Sequence, residues 1–273
     1  RTNARRRAAE VAELRGDIPG AITLITAIYD EDNADLWAIA ALDRLHALGG
    51  DAAKGLEFRV KLAARCADVR AAAGLRVSVA DARRATGDTT GALNEYKRAL
   101  ALDIRLRGVA DFLLVHARAT NDRAAQLDLY HRLGGYLAMD AQAANLVVRA
   151  ELYAAENQPV LALKSYRDAL SADPLHLPAL RAARAMHEAN GEWNDARNLW
   201  AQEGETHPDP AKSVQFLLHA ARLALKAKDT ETAESHLLAC LGKSKGHREV
   251  MREIDALYRP AGRADELVAL YER

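Results

Sequence analysis

A short polar break recurs along this chain at nearly constant spacing, and that repetition constrains the fold more than any other feature. Gly16-Asp17, Gly50-Asp51, Gly87-Asp88, Asn121-Asp122, Asn157-Gln158, Gly191-Glu192, Lys228-Asp229 and Gly262-Arg263 lie 34, 37, 34, 36, 34, 37 and 34 residues apart. Five residues after each break stands a mostly small residue: Ala21, Gly55, Ala92, Gln126, Ala162, Ala196, Ala233 and Leu267. Nine after it stands a mostly large one: Ile25, Arg59, Tyr96, Tyr130, Tyr166, Trp200, Leu237 and Tyr271. Four before it, His46, Tyr153, His187 and Tyr258 fill a further ring-bearing slot, so six of the eight tyrosines fall on two registers. A helix, a tight turn and a second helix, repeated eight times, account for this. The small residue lets the first helix approach, and the large one four positions on fills the groove beside it on the same helical face.

Composition agrees with helices and removes other classes. Glycine and proline, at 16 and 7, are too few for a β-sandwich with frequent turns. The 38 basic and 38 acidic residues cancel, which excludes a disordered polyelectrolyte and gives no basic excess for nucleic acid. No apolar run is long enough to span a bilayer. The spacings alternate between 34 and either 36 or 37, so the working module reads as a pair of hairpins, the extra residues lengthening the second helix or the loop after it, as from Cys66 to Gly74. Proline in Asp173-Pro174 and His207-Pro208 stops the preceding helix and passes the chain to the next hairpin.

The stretches 87–100 (Gly-Asp-Thr-Thr-Gly-Ala-Leu-Asn-Glu-Tyr-Lys-Arg-Ala-Leu) and 158–170 (Gln-Pro-Val-Leu-Ala-Leu-Lys-Ser-Tyr-Arg-Asp-Ala-Leu) strongly resemble tetratricopeptide repeats, the second ending in the family's Ala172-Asp173-Pro174. The resemblance covers essentially the whole chain and is weakest where Arg59 and Gln126 replace a ring and a small residue. It implies an all-α, right-handed α-solenoid of tandem hairpins forming a single domain over 1–273, with hairpins at 2–35, 36–72, 73–106, 107–142, 143–176, 177–213, 214–247 and 248–273. No polar capping helix is visible at either end, so a segment of a longer array is expected, with self-association through its uncapped ends as one consequence.

Chemistry is largely missing from the pattern. The nine histidines include no His-Glu-x-x-His pair, and Cys66 and Cys240 are too far apart for a disulfide framework or a zinc pair, so no metal and no cofactor is expected. No Gly-x-Ser-x-Gly elbow and no phosphate-cradling glycine loop occurs, and no catalytic residue is assigned.

What remains is a surface. In a tetratricopeptide array the first helices line the concave side, and counting ten, six and three residues back from each break gives its lining. The residues assigned to partner binding are Arg44, Val77, Asp81, Arg84, Asp111, Val115, Arg118, Val147, Glu151, Arg181, Glu188, Leu218, Arg222 and Arg252, with Trp37 and Phe112 close by, more often core than anchor. Both charge signs recur among small and apolar residues, which suits an extended peptide or a partner helix of mixed charge. The lysine and asparagine clamp of chaperone-tail binders is absent from these positions. The expected function is a non-catalytic protein-interaction scaffold in a larger, bacterial assembly, binding protein and no nucleic acid, with no direct membrane insertion. The rival is a regulatory or substrate-docking arm of a larger enzyme or cell-envelope export machine. The compartment stays open: cytoplasm, or periplasm behind an unseen signal peptide.

Overall fold

The computed structural model describes residues 1–272, including the side chains of all of these except Met139 and Asp140. All eight polar breaks are left-handed turns: Gly16, Gly50, Gly87, Gly191 and Gly262 have φ between 70° and 86°, while Asn121, Asn157 and Lys228 have 52°, 56° and 61°. Glycine has no Cβ to clash there and asparagine tolerates the region. At each turn the next N–H reaches back to the carbonyl five residues earlier, as from Asp17 to Ala12 at 2.9 Å and from Asp229 to Ala224 at 2.9 Å. That bond closes the C-terminus of the first helix. The same residue then starts the second helix. Asp17, Asp51, Asp88, Asp122 and Asp229 each accept from the N–H three residues on, at 2.8–3.1 Å.

Among the described residues the result is sixteen α-helices and no strand, arranged as tandem tetratricopeptide-like hairpins in two compact units. The N-terminal unit, Arg1–Leu133, holds α1 (Thr2–Leu14), α2 (Ile18–Glu31), α3 (Leu36–Leu48), α4 (Ala52–Arg65), α5 (Val69–Ala85), α6 (Thr89–Leu102), α7 (Arg107–Ala119) and α8 (Arg123–Gly134). The C-terminal unit, from Gly134 on, holds α9 (Met139–Ala155), α10 (Pro159–Ala172), α11 (Leu177–Ala189), α12 (Trp193–Thr206), α13 (Pro210–Lys226), α14 (Thr230–Lys243), α15 (Arg248–Tyr258) and α16 (Ala264–Tyr271).

The small residues five past each turn are all buried. At Gly55 a Cβ would stand 2.9 Å from the Asp43 carbonyl oxygen, so the first helix comes closer there than alanine allows. The two weak repeats have their own solutions. Arg59 donates from Nε and Nη2 to the two carboxylate oxygens of Asp43, both at 3.0 Å, replacing a ring with a forked ion pair. Gln126 donates its side-chain amide to the Ala117 carbonyl at 3.2 Å.

The pairing of hairpins is real, but the extra residues sit elsewhere than expected. The second helices α4 and α12 keep the 14 residues of α2, α6, α10 and α14, whereas α5, α9 and α13 have 17 residues against 13 in α3, α7 and α11. These long helices begin at residues 69, 139 and 210, four before the expected hairpin limits of 73, 143 and 214. Asp68 and Asp209 explain two of the early starts, since each accepts a first-turn N–H, from Ala71 at 2.7 Å and Ala211 at 2.9 Å. Pro210 at the first helical position loses no bond by lacking its N–H.

Each unit buries its own apolar interior. Ile25, Ile28, Ile39, Leu42 and Leu45 cluster in the N-terminal unit, and Leu217, Leu237, Val250 and Ile254 in the C-terminal one. No described helix is long and apolar enough to cross a membrane.

Candidate functional site

The hairpin geometry places Ile25, Tyr96 and Trp200, each nine past its turn, between two consecutive first helices. Where those helices leave room, a cavity opens above it. Two such cavities in the N-terminal unit are of about 330 Å³ between α1 and α3 over Ile25, and about 570 Å³ between α5 and α7 over Tyr96.

The α5–α7 cavity has an apolar floor and a charged rim. Its floor is the Tyr96 ring, with its centroid 5.0 Å from that of Phe112, and Val77, Leu106 and Val109 close the sides. The Tyr96 hydroxyl donates to Asp81 at 2.5 Å. Burial, reinforced by Asp81, pushes the phenol above its ordinary pKa, and the charge of Arg84 opposes that. The Arg84 guanidinium lies 5.3 Å over the Phe112 ring and has no ion pair among the described residues. Arg105 and Arg107 stand on the opposite side, where Arg105 meets Asp103 at 2.9 Å. Three assigned residues, Val77, Asp81 and Arg84, therefore share one cavity.

In the smaller cavity, which Glu10 also lines, the one lining arginine is already matched. Arg44 bonds both carboxylate oxygens of Glu13, its Nη2 at 2.7 Å from Oε2. The bond to Arg44 holds the Glu13 carboxyl below the usual range and raises the Arg44 guanidinium. Trp37 lines the same cavity, with Arg6 4.8 Å above its ring and bonded to Asp35 at 2.5 Å. Farther along α7, Asp111, Val115 and Arg118 are exposed, and Arg118 donates to the Tyr130 hydroxyl.

The equivalent place in the C-terminal unit is filled. Arg184 lies 3.4 Å over the Trp200 ring and pairs with Glu203, both nearly inaccessible at 8% and 3% exposure. Burial outweighs the pull of Glu203 and holds this guanidinium below its ordinary pKa. Glu188 accepts from the Trp200 indole N–H at 2.5 Å, and the His219 ring lies against the same tryptophan, centroids 4.3 Å apart and planes tilted by 46°. Exposed Arg181 reaches Glu203 at 3.9 Å. Arg222 bonds Glu253 at 2.8 Å and Glu249 at 3.2 Å, chiefly the former raising its pKa. Glu151 is exposed on α9 and adds to the burial that raises Tyr166. Arg252, exposed on α15, lines a cavity of about 260 Å³ with Met251 and Leu270.

Two assigned residues do not reach an accessible face. Val147, 6% exposed, packs with Ala150 and Tyr166, and Leu218, 3% exposed, packs with Leu217 and Leu237. Both occupy the position ten before the turn in a 17-residue first helix, although Val77 at that position in the equally long α5 is half-buried and lines the cavity. In the shorter helices α7, α11 and α15 the same register is exposed, as Asp111, Arg181 and Arg252. Conversely, the register count missed Arg105, Arg107 and Gly108, which lie in and just after the link to α7. Phe112 and Trp37, weighed as core, line cavities.

One ligand atom each of His187, Glu192 and Asp195 lies within 4.8 Å of the others. His187 is buried and its Nδ1 is bonded to Glu192 Oε2 at 2.5 Å, across the turn that starts α12. The turn itself accounts for this grouping.

No family model matches the chain, and no curated protein does. Among solved structures, the chain is similar to PilF of Pseudomonas aeruginosa at 15% identity, covering 93% of this chain and 96% of that one with a TM-score of 0.36. It is similar to the C-terminal part of a tetratricopeptide-containing protein of Cytophaga hutchinsonii at 12% identity, covering 90% and 98% with a TM-score of 0.37. YrrB, described as a tetratricopeptide protein with an unusual peptide-binding site, is 15% identical over 66% of this chain and 91% of that one, with a TM-score of 0.36.

Proposed function

We propose that this chain is a non-catalytic scaffold that binds a partner polypeptide along the exposed faces of its first helices, within a larger assembly. The α5–α7 cavity carries the reading. It is of ligand-pocket size at about 570 Å³, it is open, and it combines two rings with arginines on both sides. Interfaces concentrate their binding energy in such aromatic and arginine anchors. The surrounding residues offer a mixed-charge polypeptide several further contacts, at Asp111, Val115 and Arg118.

A photo-crosslinking side chain at exposed Asp111 on α7, compared with one at exposed Glu57 on the second helix α4, tests this in the source cell. A discrete protein adduct from position 111 and none from 57 is expected. Equal adducts from both positions, or adducts from 57 alone, would sink the reading.

A further inference from the structure

We infer that the α5–α7 cavity receives an internal acidic–apolar segment of the partner, one bulky apolar side chain with a carboxylate on either side. This deepens the scaffold reading and rests on it. The floor of Tyr96 and Phe112 with Val77 and Val109 has no polar demand at its centre beyond the Tyr96 hydroxyl, which Asp81 already satisfies at 2.5 Å. An apolar side chain there removes its own surface and the exposed part of the Phe112 ring from water, over a Tyr96 ring that is already 3% exposed.

The rim selects the flanks. Three guanidiniums, Arg84, Arg105 and Arg107, face one carboxylate, Asp81, and that carboxylate is occupied by the tyrosine. Arg105 has Asp103, but Arg84 and Arg107 have no ion pair among the described residues. Guanidinium forks bond carboxylates through two parallel N–H groups, and they gain most where a low-polarity floor excludes water. Arg84 stands on α5 and Arg107 on α7, so the positive groups flank the apolar floor from opposite walls. A single terminal carboxylate would meet one wall; an internal segment with two acids meets both. The α1–α3 cavity shows the contrast, because there Glu13 already supplies the carboxylate to Arg44.

Gly108 makes the idea testable without damage to the fold. It lines the cavity in the first turn of α7, and a Cβ built there meets nothing within 4 Å. An aspartate at that position also suits a helix N-terminus whose N-cap residue, Leu106, offers no side-chain bond. Gly108→Asp therefore keeps the fold and turns the rim against acids.

The experiment selects binders to the whole chain from a random peptide display library. Affinities of the selected peptides are then measured by fluorescence anisotropy for the unaltered chain, Arg84→Glu and Gly108→Asp, with helicity and melting temperature as folding controls. Selected peptides are expected to carry an acid–apolar–acid pattern. They should lose about tenfold in affinity with either substitution, the scale of one charge-assisted pair, and lose binding when their acids become lysines. Peptides that bind but ignore both substitutions, or that lack acids, overturn the inference and leave the scaffold reading standing. If no peptide is selected while the crosslink at position 111 still forms, the partner is not a linear segment and the inference falls alone. If neither peptide nor crosslink appears, both readings fall.

Discussion

The same repeat geometry is open at Tyr96 and closed at Trp200. Both residues stand nine past their turns, and both lie between consecutive first helices with a phenylalanine beside them: Phe112 at 5.0 Å and Phe216 at 5.5 Å. At Trp200 the arginine is used internally: Arg184 stacks on the ring at 3.4 Å and gives its charge to buried Glu203. At Tyr96 the arginine on the rim, Arg84, meets only a ring. The two repeats thus differ in whether the arginine beside the ring is paired within the repeat, and on the proposed reading that difference sets which of them can bind.

The largest expected effect breaks this contrast directly. Arg184→Ala strands Glu203, at 3% exposure, with Arg181 as its nearest cation at 3.9 Å. Removing one partner of a buried pair costs about 3–5 kcal/mol. Arg84→Ala, at the open site, should stay within about 0.5 kcal/mol. Urea denaturation of the whole chain measures both. Comparable losses would mean that the two places are energetically alike. Replacing Arg184 and Glu203 together by Met and Leu should restore most of the stability, because no charge is then left unpaired.

Two glycines give the next contrast. At Gly55 a methyl would stand 2.9 Å from the Asp43 carbonyl oxygen, and Gly55→Ala should cost about 1–3 kcal/mol through overpacking. At Gly108 the space is open, and Gly108→Ala should be neutral or stabilising by up to about 1 kcal/mol, since alanine is the better helix former. A loss at Gly108 equal to that at Gly55 would show that the cavity wall is packed rather than free.

Most of the scaffold was legible in the sequence because turn chemistry is local. A polar break, at five of the eight turns followed by a capping aspartate, marks a hairpin whatever surrounds it, and all eight breaks have positive φ. The paired module was legible as a spacing, yet not its location, because a helix start depends on which aspartate captures an N–H: Asp68 does so and moves α5 forward. The site was read less well. Three positions per first helix include Val77, Asp81 and Arg84, which line one cavity, but treating every hairpin alike put buried Val147 and Leu218 on an exposed face. Arg107 and Gly108 fell outside the register count because they open α7, ahead of the three positions counted back from its turn. Charge use was invisible: Arg84 and Arg222 look alike in sequence, and only packing gives Arg222 two glutamates.

The turns allow a smaller test in each unit. Lys228 holds φ 61° with a side chain, so Lys228→Gly should stabilise the C-terminal unit by about 1 kcal/mol, while Gly50→Ala at φ 86° should cost the N-terminal unit about as much. Thermal melts of the two variants should shift in opposite directions. Shifts of the same sign would mean that helix propensity, and not turn conformation, governs these positions.

The smallest effect concerns two tyrosines in different charge environments. Burial first, then the hydrogen bond to Glu234 at 2.6 Å, pushes Tyr258 up to about 12. A phenol whose pKa is raised on folding contributes stability that is fully present below its unfolded value near 10 and lost as the pH rises through the folded value. Tyr96 is raised by burial and by Asp81, but the Arg84 charge pulls the other way. Removing Arg84 should therefore delay the ionisation of Tyr96 to higher pH and leave Tyr258 where it was, which ring-carbon NMR resolves tyrosine by tyrosine. The paired Arg263 lowers Tyr258 in the same sense, so the prediction rests on the position of Arg84 over the cavity. If Tyr96 in Arg84→Ala titrates unchanged or earlier, the Arg84 charge does not reach the cavity floor, and the distinction between the open and the closed repeat loses its electrostatic basis.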